Sequence, residues 1–232
     1  MRIALEPAYI LHTRPYRESS LLLEALSREH GRVGLVARGA RGARSRWKNM
    51  LQPFRPLLLS WSQRGELGTL SGADQVASPP ALAGESLFCG MYANELMVRF
   101  LQRSDPHPTL FDHYQALLAQ LSGEENLQSS LRIFEKNLLE SAGFGLQLEF
   151  EQGSDRKISA DAWYAYDPES GPVRRDGKPG HQSNLISGSS LLALQSEQIE
   201  PHHLPELKQL MRRLIKNHLG DKPIASHSLF IQ

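Results

Sequence analysis

At Ser78-Pro79-Pro80 the spacing of apolar residues changes from that of strands to that of helices, and this break constrains the fold more than any other feature. Proline lacks the N–H that a strand ladder needs, and a Pro-Pro pair makes a stiff connector, so a domain boundary is expected there. Before the break, short apolar runs occupy residues 8–12, 20–26, 32–37, 56–62 and 66–71 with 75–77. Each has strand length. The intervals carry turn chemistry: Glu29-His30-Gly31, the stretch from Gly39 to Gly42, and Gln63-Arg64-Gly65. A five-stranded barrel of the OB type is expected, because closing the sheet removes most of its exposed edges. By periodicity alone, residues 21–26 fit a helical turn as well as a strand.

After the break the period is helical. Residues 82–103 place Leu87, Phe88, Met91, Tyr92, Leu96 and Phe100 on one broad face. A second stripe runs through Leu110, Phe111, Tyr114, Leu117, Leu118 and Leu121. A third, over 127–141, carries Leu131, Phe134, Leu138 and Leu139 and ends near Gly143, where a C-terminal cap belongs. From 146 to 182 the pattern is less regular, with a candidate strand at Trp163 to Tyr166 and a turn over 167–172. A short helix around 189–195 and a longer one around 205–219, closed by Gly220, complete the chain. The expected class is α+β, with an OB-fold β-barrel over residues 1–79 and a mainly helical domain over 80–232.

Hydrophobic residues make up 40% and charged residues 22% of the chain, which places it among soluble globular proteins. Nothing approaches the roughly 18 consecutive apolar residues of a membrane span, and no secretory signal opens the sequence. A cytoplasmic location is expected. Cys89, the single cysteine, cannot form an intramolecular disulfide or hold a zinc alone. The net charge of +1 hides an asymmetry: residues 1–80 hold twelve Lys and Arg against six acids, so the remainder is net acidic. A basic part joined to an acidic one suggests units with different partners.

The positive charge concentrates in Arg38-Gly39-Ala40-Arg41-Gly42-Ala43-Arg44-Ser45-Arg46-Trp47-Lys48, five cations in eleven residues with no acid among them. Such crowding costs free energy through self-repulsion unless a polyanion or water relieves it. Nucleic-acid phosphates are the obvious polyanion, and binding them releases counterions. Small residues between the cations let the backbone approach a ligand closely. Trp47 is a candidate platform for stacking a base. Arg14 and Arg32 are counted with the patch, and Arg17, Arg28 and Arg55 are further candidates.

Three N-terminal blocks then carry a family likeness. They are Leu11-His12-Thr13-Arg14-Pro15-Tyr16-Arg17-Glu18-Ser19-Ser20-Leu21, the run from His30-Gly31-Arg32-Val33 to Arg38-Gly39-Ala40-Arg41, and Leu51-Gln52-Pro53-Phe54-Arg55-Pro56-Leu57. In order and spacing they resemble the RecO family of DNA repair proteins. Tyr92-Ala93-Asn94-Glu95-Leu96 and the run from Leu131-Arg132-Ile133-Phe134 to Ala142-Gly143-Phe144-Gly145 are similar to the family's helical domain. Gly220-Asp221-Lys222-Pro223 to Leu229-Phe230 looks like its C-terminal segment. The resemblance implies an OB-fold followed by a helical domain and binding of single- and double-stranded DNA. It also implies annealing of complementary strands and help in loading RecA onto DNA coated by single-stranded DNA-binding protein (SSB). Partners so implied are RecR, in some members RecF, and the acidic, hydrophobic tail of SSB. The family's basic loop matches Arg38, Arg41, Arg44, Arg46 and Lys48. Many members hold zinc with four cysteines after the third helix; residues 150–185 here contain none, so no metal and no cofactor are expected.

A tail ending in a carboxylate needs a cation beside an apolar groove. Arg132, which matches a basic position of the family, is the expected carboxylate partner, with Leu110, Phe111 and Tyr114 as the groove. Plain core packing is the competing explanation for those apolar residues. On the last helix, Lys208, Arg212 and Lys216 share a face, either solvated or in contact with DNA or a partner. No phosphate loop, zinc-ligand spacing or nucleophile motif occurs, so no catalytic residue is assigned. His202-His203 lacks a metalloprotease context, and Asp105 suits a helix cap better than a metal. The rival readings are an RNA-binding OB protein and a metal-dependent nuclease.

Overall fold

In a computed structural model, which describes residues 1–47, 49–123, 126–176, 184–220 and 223–226, the first strand β1 (Arg2–Tyr16) is far longer than the apolar run at 8–12. Its register shifts between Ile3 and Glu6 and again between Ile10 and His12. Leu5 sits at φ 53, outside the strand region. These irregularities bend the strand so that it serves two neighbours, and they erase the clean alternation by which a strand is read.

With β2 (Ser20–Ser27), β3 (Gly31–Ala37), β4 (Leu57–Arg64) and β5 (Leu67–Gln75), β1 forms a closed barrel in the order β1-β2-β3-β5-β4. Only the β3–β5 seam is parallel among these pairs. The N-terminal OB-type barrel is therefore as expected. The ambiguous Leu-rich run is β2. Leu23 and Ala25 point into the barrel core with Ala8, Ile10, Val33, Leu35, Leu59 and Trp61. Leu22 and Leu26 face outward yet are also covered, which is why both faces read as apolar. β5 is one continuous strand where the sequence suggests two pieces.

The chain divides into two compact units, Met1–Glu125 with Ile224–Gln232, and Asn126–Pro223. The first joins the barrel to α1 (Gly84–Phe100) and α2 (Pro108–Ser122). Tyr9 and Leu11, on the outer side of β1, receive these helices. The Tyr9 ring lies 5.4 Å from Phe111 and 5.2 Å from Tyr114, centroid to centroid. Tyr114 donates to Asn94 Oδ1 at 2.6 Å, and Asn94 Nδ2 donates to the Leu11 carbonyl at 3.0 Å. Burial of Leu110, Phe111, Tyr114, Leu117, Leu118 and Leu121 contributes about 1.5–3 kcal/mol each.

Beyond α1, shorter than the 82–103 expected, the chain turns back onto the barrel. Ser104 N–H donates to the Arg32 carbonyl at 2.9 Å. Gly31, at φ +65, leaves no room for a Cβ, which would lie 1.9 Å from the Asp105 carbonyl oxygen. Asp105 does not cap α2: His107 holds the N-cap position, and the Asp105 carboxylate lies 3.2 Å from His107 Nε2.

The second unit contains α3 (Leu127–Ser141), a sheet of β6 (Trp163–Asp167), β7 (Gly171–Arg175) and β8 (Leu185–Ser187), α4 (Gly188–Gln195) and α5 (Leu204–Leu219). The sheet order is β7-β6-β8. Asp167 Oδ1 builds the β6–β7 turn by accepting from the N–H groups of Glu169 and Ser170, at 3.0 and 2.9 Å. Glu206 on α5 accepts from Ser187 Oγ and Ser190 Oγ, at 2.7 and 2.8 Å, tying β8 and the start of α4 to α5. α3, α4 and α5 pack together through Leu131, Phe134, Leu138, Leu191, Leu194, Leu207, Met211 and Leu214. Among the described residues, no helix is long and apolar enough to cross a membrane.

Candidate nucleic-acid interface

Ala37, the last residue of β3, pairs with Leu21, and the chain then leaves the barrel as the basic loop. Two tight turns shape it: Gly42 N–H donates to the Gly39 carbonyl at 3.2 Å and Ser45 N–H to the Gly42 carbonyl at 3.0 Å. Gly39, at φ +67, supplies the left-handed conformation that the first turn requires. The loop is pinned at both ends. Arg41 N–H donates to the Ser19 carbonyl at 2.9 Å and its Nη1 to the Arg17 carbonyl at 3.2 Å. Arg46 Nη2 donates to the Ser71 carbonyl at 3.0 Å. Arg38, Arg41, Arg44 and Arg46 are all exposed. Four cations thus stand in water on a loop whose backbone is held, so a polyanion meets charge that is already arranged.

Trp47 is placed differently from a stacking platform. It is 7% exposed and joins Leu51 in the apolar cluster of the barrel. The Arg46 guanidinium lies 4.1 Å from its ring centroid. The indole therefore anchors the loop to the barrel, and neither ring face is offered to a base. Closing the barrel needs a large apolar plug, and that demand outweighs the tryptophan's place among cations in sequence.

Arg14 is exposed on the outer face of β1, one strand away from Leu22 and two from Val36. Arg32 is not free in the same way. Its Nη1 lies 2.6 Å from Glu24 Oε2 and its Nε donates to the Leu101 carbonyl at 2.9 Å. Glu24 also pairs with Arg103, whose guanidinium lies close to where a Cβ on Gly34 would stand. Arg32 thereby holds the segment after α1 on the barrel. Arg28 is likewise engaged, by a two-pronged pair with Asp112. Lys48 lies outside the described residues. Tyr16, which the sequence reading passed over, ends β1 beside these cations, with the Arg17 guanidinium 5.2 Å from its ring centroid.

Comparison with known proteins agrees with this architecture. Residues 1–79 match the family model described as Recombination protein O N terminal, and residues 82–227 the model described as Recombination protein O C terminal. A protein of Nitrosococcus oceani named DNA repair protein RecO is 46% identical over 99% of this chain and 93% of its own length. Proteins of the same name from Methylococcus capsulatus and Coxiella burnetii are each 43% identical; the former match covers 99% of this chain and 93% of the relative, the latter 98% of both. The chain belongs to the RecO family.

Within this RecO-family chain, the residues expected to receive the SSB tail fall in the two different units. Leu110, Phe111 and Tyr114 are 0%, 4% and 0% exposed, and the rings of Phe111 and Tyr114 pack on Tyr9 of the barrel. Burial pushes the Tyr114 hydroxyl well above its ordinary range. Arg132, on α3, is 5% exposed, and its Nη1 lies 2.8 Å from Glu135 Oε2. Lys208, Arg212 and Lys216 are exposed along α5, opposite buried Leu207, Leu210, Met211, Leu214 and Ile215.

The region where many RecO proteins hold zinc is built here from other groups. Tyr164 donates to Glu151 Oε1 at 3.1 Å and accepts from Ser159 N–H at 2.9 Å. Arg174 lies 3.4 Å from the same carboxylate. Cys89 is buried in α1, in the other unit. These residues do not fit a zinc site, and among the described residues no group of three or more His, Cys, Asp or Glu is placed to hold a metal ion.

Within the family's C-terminal block, Ala225 and Ser226 are held by α1; its residues 221–222 and 227–230 lie outside the described residues. Glu95 accepts from the N–H groups of Ala225 and Ser226, at 2.9 and 2.8 Å, and from Ser226 Oγ at 2.8 Å. Burial pushes this carboxyl up, but the bonds from Ser226 and Ala225, with Arg99 beside them, outweigh it and hold Glu95 below the ordinary 4.5. A depressed carboxylate contributes stability that is present above its unfolded value and lost as pH falls through the folded one. Amide-exchange protection at Ala225 and Ser226 should therefore be full at neutral pH and fall away in acid. Glu95→Gln should flatten that pH dependence; an unchanged profile would dissociate it from this carboxylate.

Proposed function

We propose that this chain binds single- and double-stranded DNA through the basic end of its barrel, anneals complementary strands, and helps to load RecA onto SSB-coated DNA. In this reading it is a non-enzymatic mediator of DNA repair, acting in the cytoplasm at the nucleoid with RecR and, in some settings, RecF. The observation that carries the reading is the pinned loop with Arg38, Arg41, Arg44 and Arg46 exposed and no acid among them. Two strands repel each other through their phosphates. A protein surface that neutralises both lowers that repulsion, which is the physical basis of annealing. Arg14, on the neighbouring strand face, extends the surface. Arg32 contributes indirectly, by fixing the helices to the barrel.

The SSB tail is proposed to dock in the helical part of the chain, with its terminal carboxylate paired to Arg132. That carboxylate would accept from guanidinium N–H groups that Glu135 leaves open, among them the buried Nε, so that the Arg132–Glu135 pair is kept.

A strand-annealing assay tests the function. Complementary oligonucleotides should anneal faster with the protein present, and strands coated with SSB should still anneal. Coating with SSB that lacks its tail should abolish the protein's effect on coated strands and leave naked strands unaffected. No acceleration on naked DNA would overturn the annealing reading. Equal activity on both coats would overturn the tail contact.

A further inference from the structure

We propose that Tyr16, at the end of β1, is the surface on which an unpaired DNA base stacks, between the cations of Arg14, Arg17 and Arg41. This deepens the DNA-binding reading above and rests on it. Binding single strands without sequence readout commonly combines a cationic track with an aromatic face, because every base has a π-face. The cationic track here is the loop after β3, but the aromatic within it, Trp47, is committed to the barrel core.

The other aromatics of the barrel are committed too. Trp61 is 1% exposed, Tyr9 packs against α2, and Phe54 lies close to where a Cβ on Gly90 of α1 would stand. Tyr16 remains. It is partly exposed, with its backbone fixed opposite Ser20 in the β1–β2 ladder.

Its position suits a nucleotide. Residues two apart on a strand share a face, so Arg14 and Tyr16 stand side by side on the outside of the barrel. Arg17, at φ 52, turns its guanidinium over the ring at 5.2 Å from the centroid. Such a cation can pass from the ring to a phosphate as a base takes its place. Arg41 is stitched to the same hairpin by its bonds to the Ser19 and Arg17 carbonyls. Arg38 follows Ala37, whose partner Leu21 adjoins Ser20, so it emerges two strands from Tyr16, about 10 Å away at the usual spacing. A base on the tyrosine would thus have its phosphate within reach of guanidinium groups on more than one side.

Stacking on a side chain requires an unpaired base, whereas phosphate contacts serve single strands and duplex alike. The test follows from that difference. Fluorescence anisotropy would measure an oligodeoxythymidine and a duplex of equal length against the parent protein, Tyr16→Phe, Tyr16→Leu and Tyr16→Ala. Leucine keeps the apolar volume and the fold while removing the π-face; phenylalanine keeps both. Tyr16→Leu and Tyr16→Ala should weaken single-strand binding about tenfold or more and change duplex binding less than about twofold. Tyr16→Phe should bind as the parent. An oligonucleotide carrying 5-iodouracil should photocrosslink to Tyr16 in the parent protein. Unchanged single-strand affinity in Tyr16→Leu, or equal losses on both DNAs, would overturn the stacking role while leaving the DNA-binding reading in place. A parent protein that binds neither DNA would overturn both.

Discussion

Reversing Arg41, Arg44 and Arg46 to glutamate together should lower affinity for single-stranded and duplex DNA by about a hundredfold or more at moderate salt, and should leave the barrel folded. The loss has two parts. Three phosphate contacts disappear, and three anions then repel the strand. The salt dependence supplies a second readout: the slope of log affinity against log salt should shrink by about three on duplex and about two on single strands. The fold should survive because all three side chains are exposed. Their intramolecular ties are two hydrogen bonds, Arg41 to the Arg17 carbonyl and Arg46 to the Ser71 carbonyl, at roughly 0.5–1.5 kcal/mol each, and the contact of Arg46 with the Trp47 ring, about 0.5–1 kcal/mol at an exposed site. Trp47 stays in the core as the anchor. A triple variant that melts like the parent and keeps its DNA affinity would remove this loop from the interface.

Charge of this kind is the most legible property of a sequence, because a run of arginines reports itself without reference to the fold. What each cation does is less legible. Arg32 is counted with the same patch in sequence, yet Glu24 on the adjoining strand and the Leu101 carbonyl at the end of α1 take it. Only the register, which sets Leu26 against Arg32 and Glu24 against Gly34, brings that carboxylate within reach. Trp47 reads as a nucleic-acid aromatic because cations surround it, but the closed barrel requires an apolar plug where it falls. Tyr16 carries no signal of its own. It gains significance only once the β1–β2 hairpin is bonded to the loop through Ser19 and Arg41.

The elements divide along similar lines. β3 and the amphipathic helices follow from period and turn residues, whereas β2, covered on both faces, has no period that separates strand from helix. β1 does not, because its bulges and the left-handed Leu5 break the alternation. β7 includes Pro172, and β8 joins β6 from beyond β7, so the sheet of the second unit is a matter of long-range pairing. The apolar stripe of α2 was visible. That it meets Tyr9 on the outside of the barrel, and so is unavailable as a groove, depends on an apolar outer patch that strand alternation does not announce.

Arg132→Ala should destabilise the helical unit by about 3–5 kcal/mol, a large share of the roughly 5–15 kcal/mol that holds a typical domain together. The arginine sits one turn before Glu135 on α3, and their side chains are 7% and 0% exposed. Alanine would leave the glutamate buried without the cation 2.8 Å away. Replacing both residues by methionine removes the charges together, and such exchanges are often neutral or stabilising. Urea melts should therefore show a large loss for the single variant and recovery in the double one; a single-variant loss below about 1 kcal/mol would contradict the coupling. The same coupling decides how tail binding is to be tested. Arg132→Glu would bury two carboxylates one helical turn apart, and weakened binding would then report unfolding. The double methionine variant keeps the volume and removes the cation. It should bind an acidic SSB-tail peptide about tenfold or more less tightly, the scale of one charge-assisted hydrogen bond, while holding DNA as the parent does. Parent-like affinity for the peptide would mean that the carboxylate is received elsewhere.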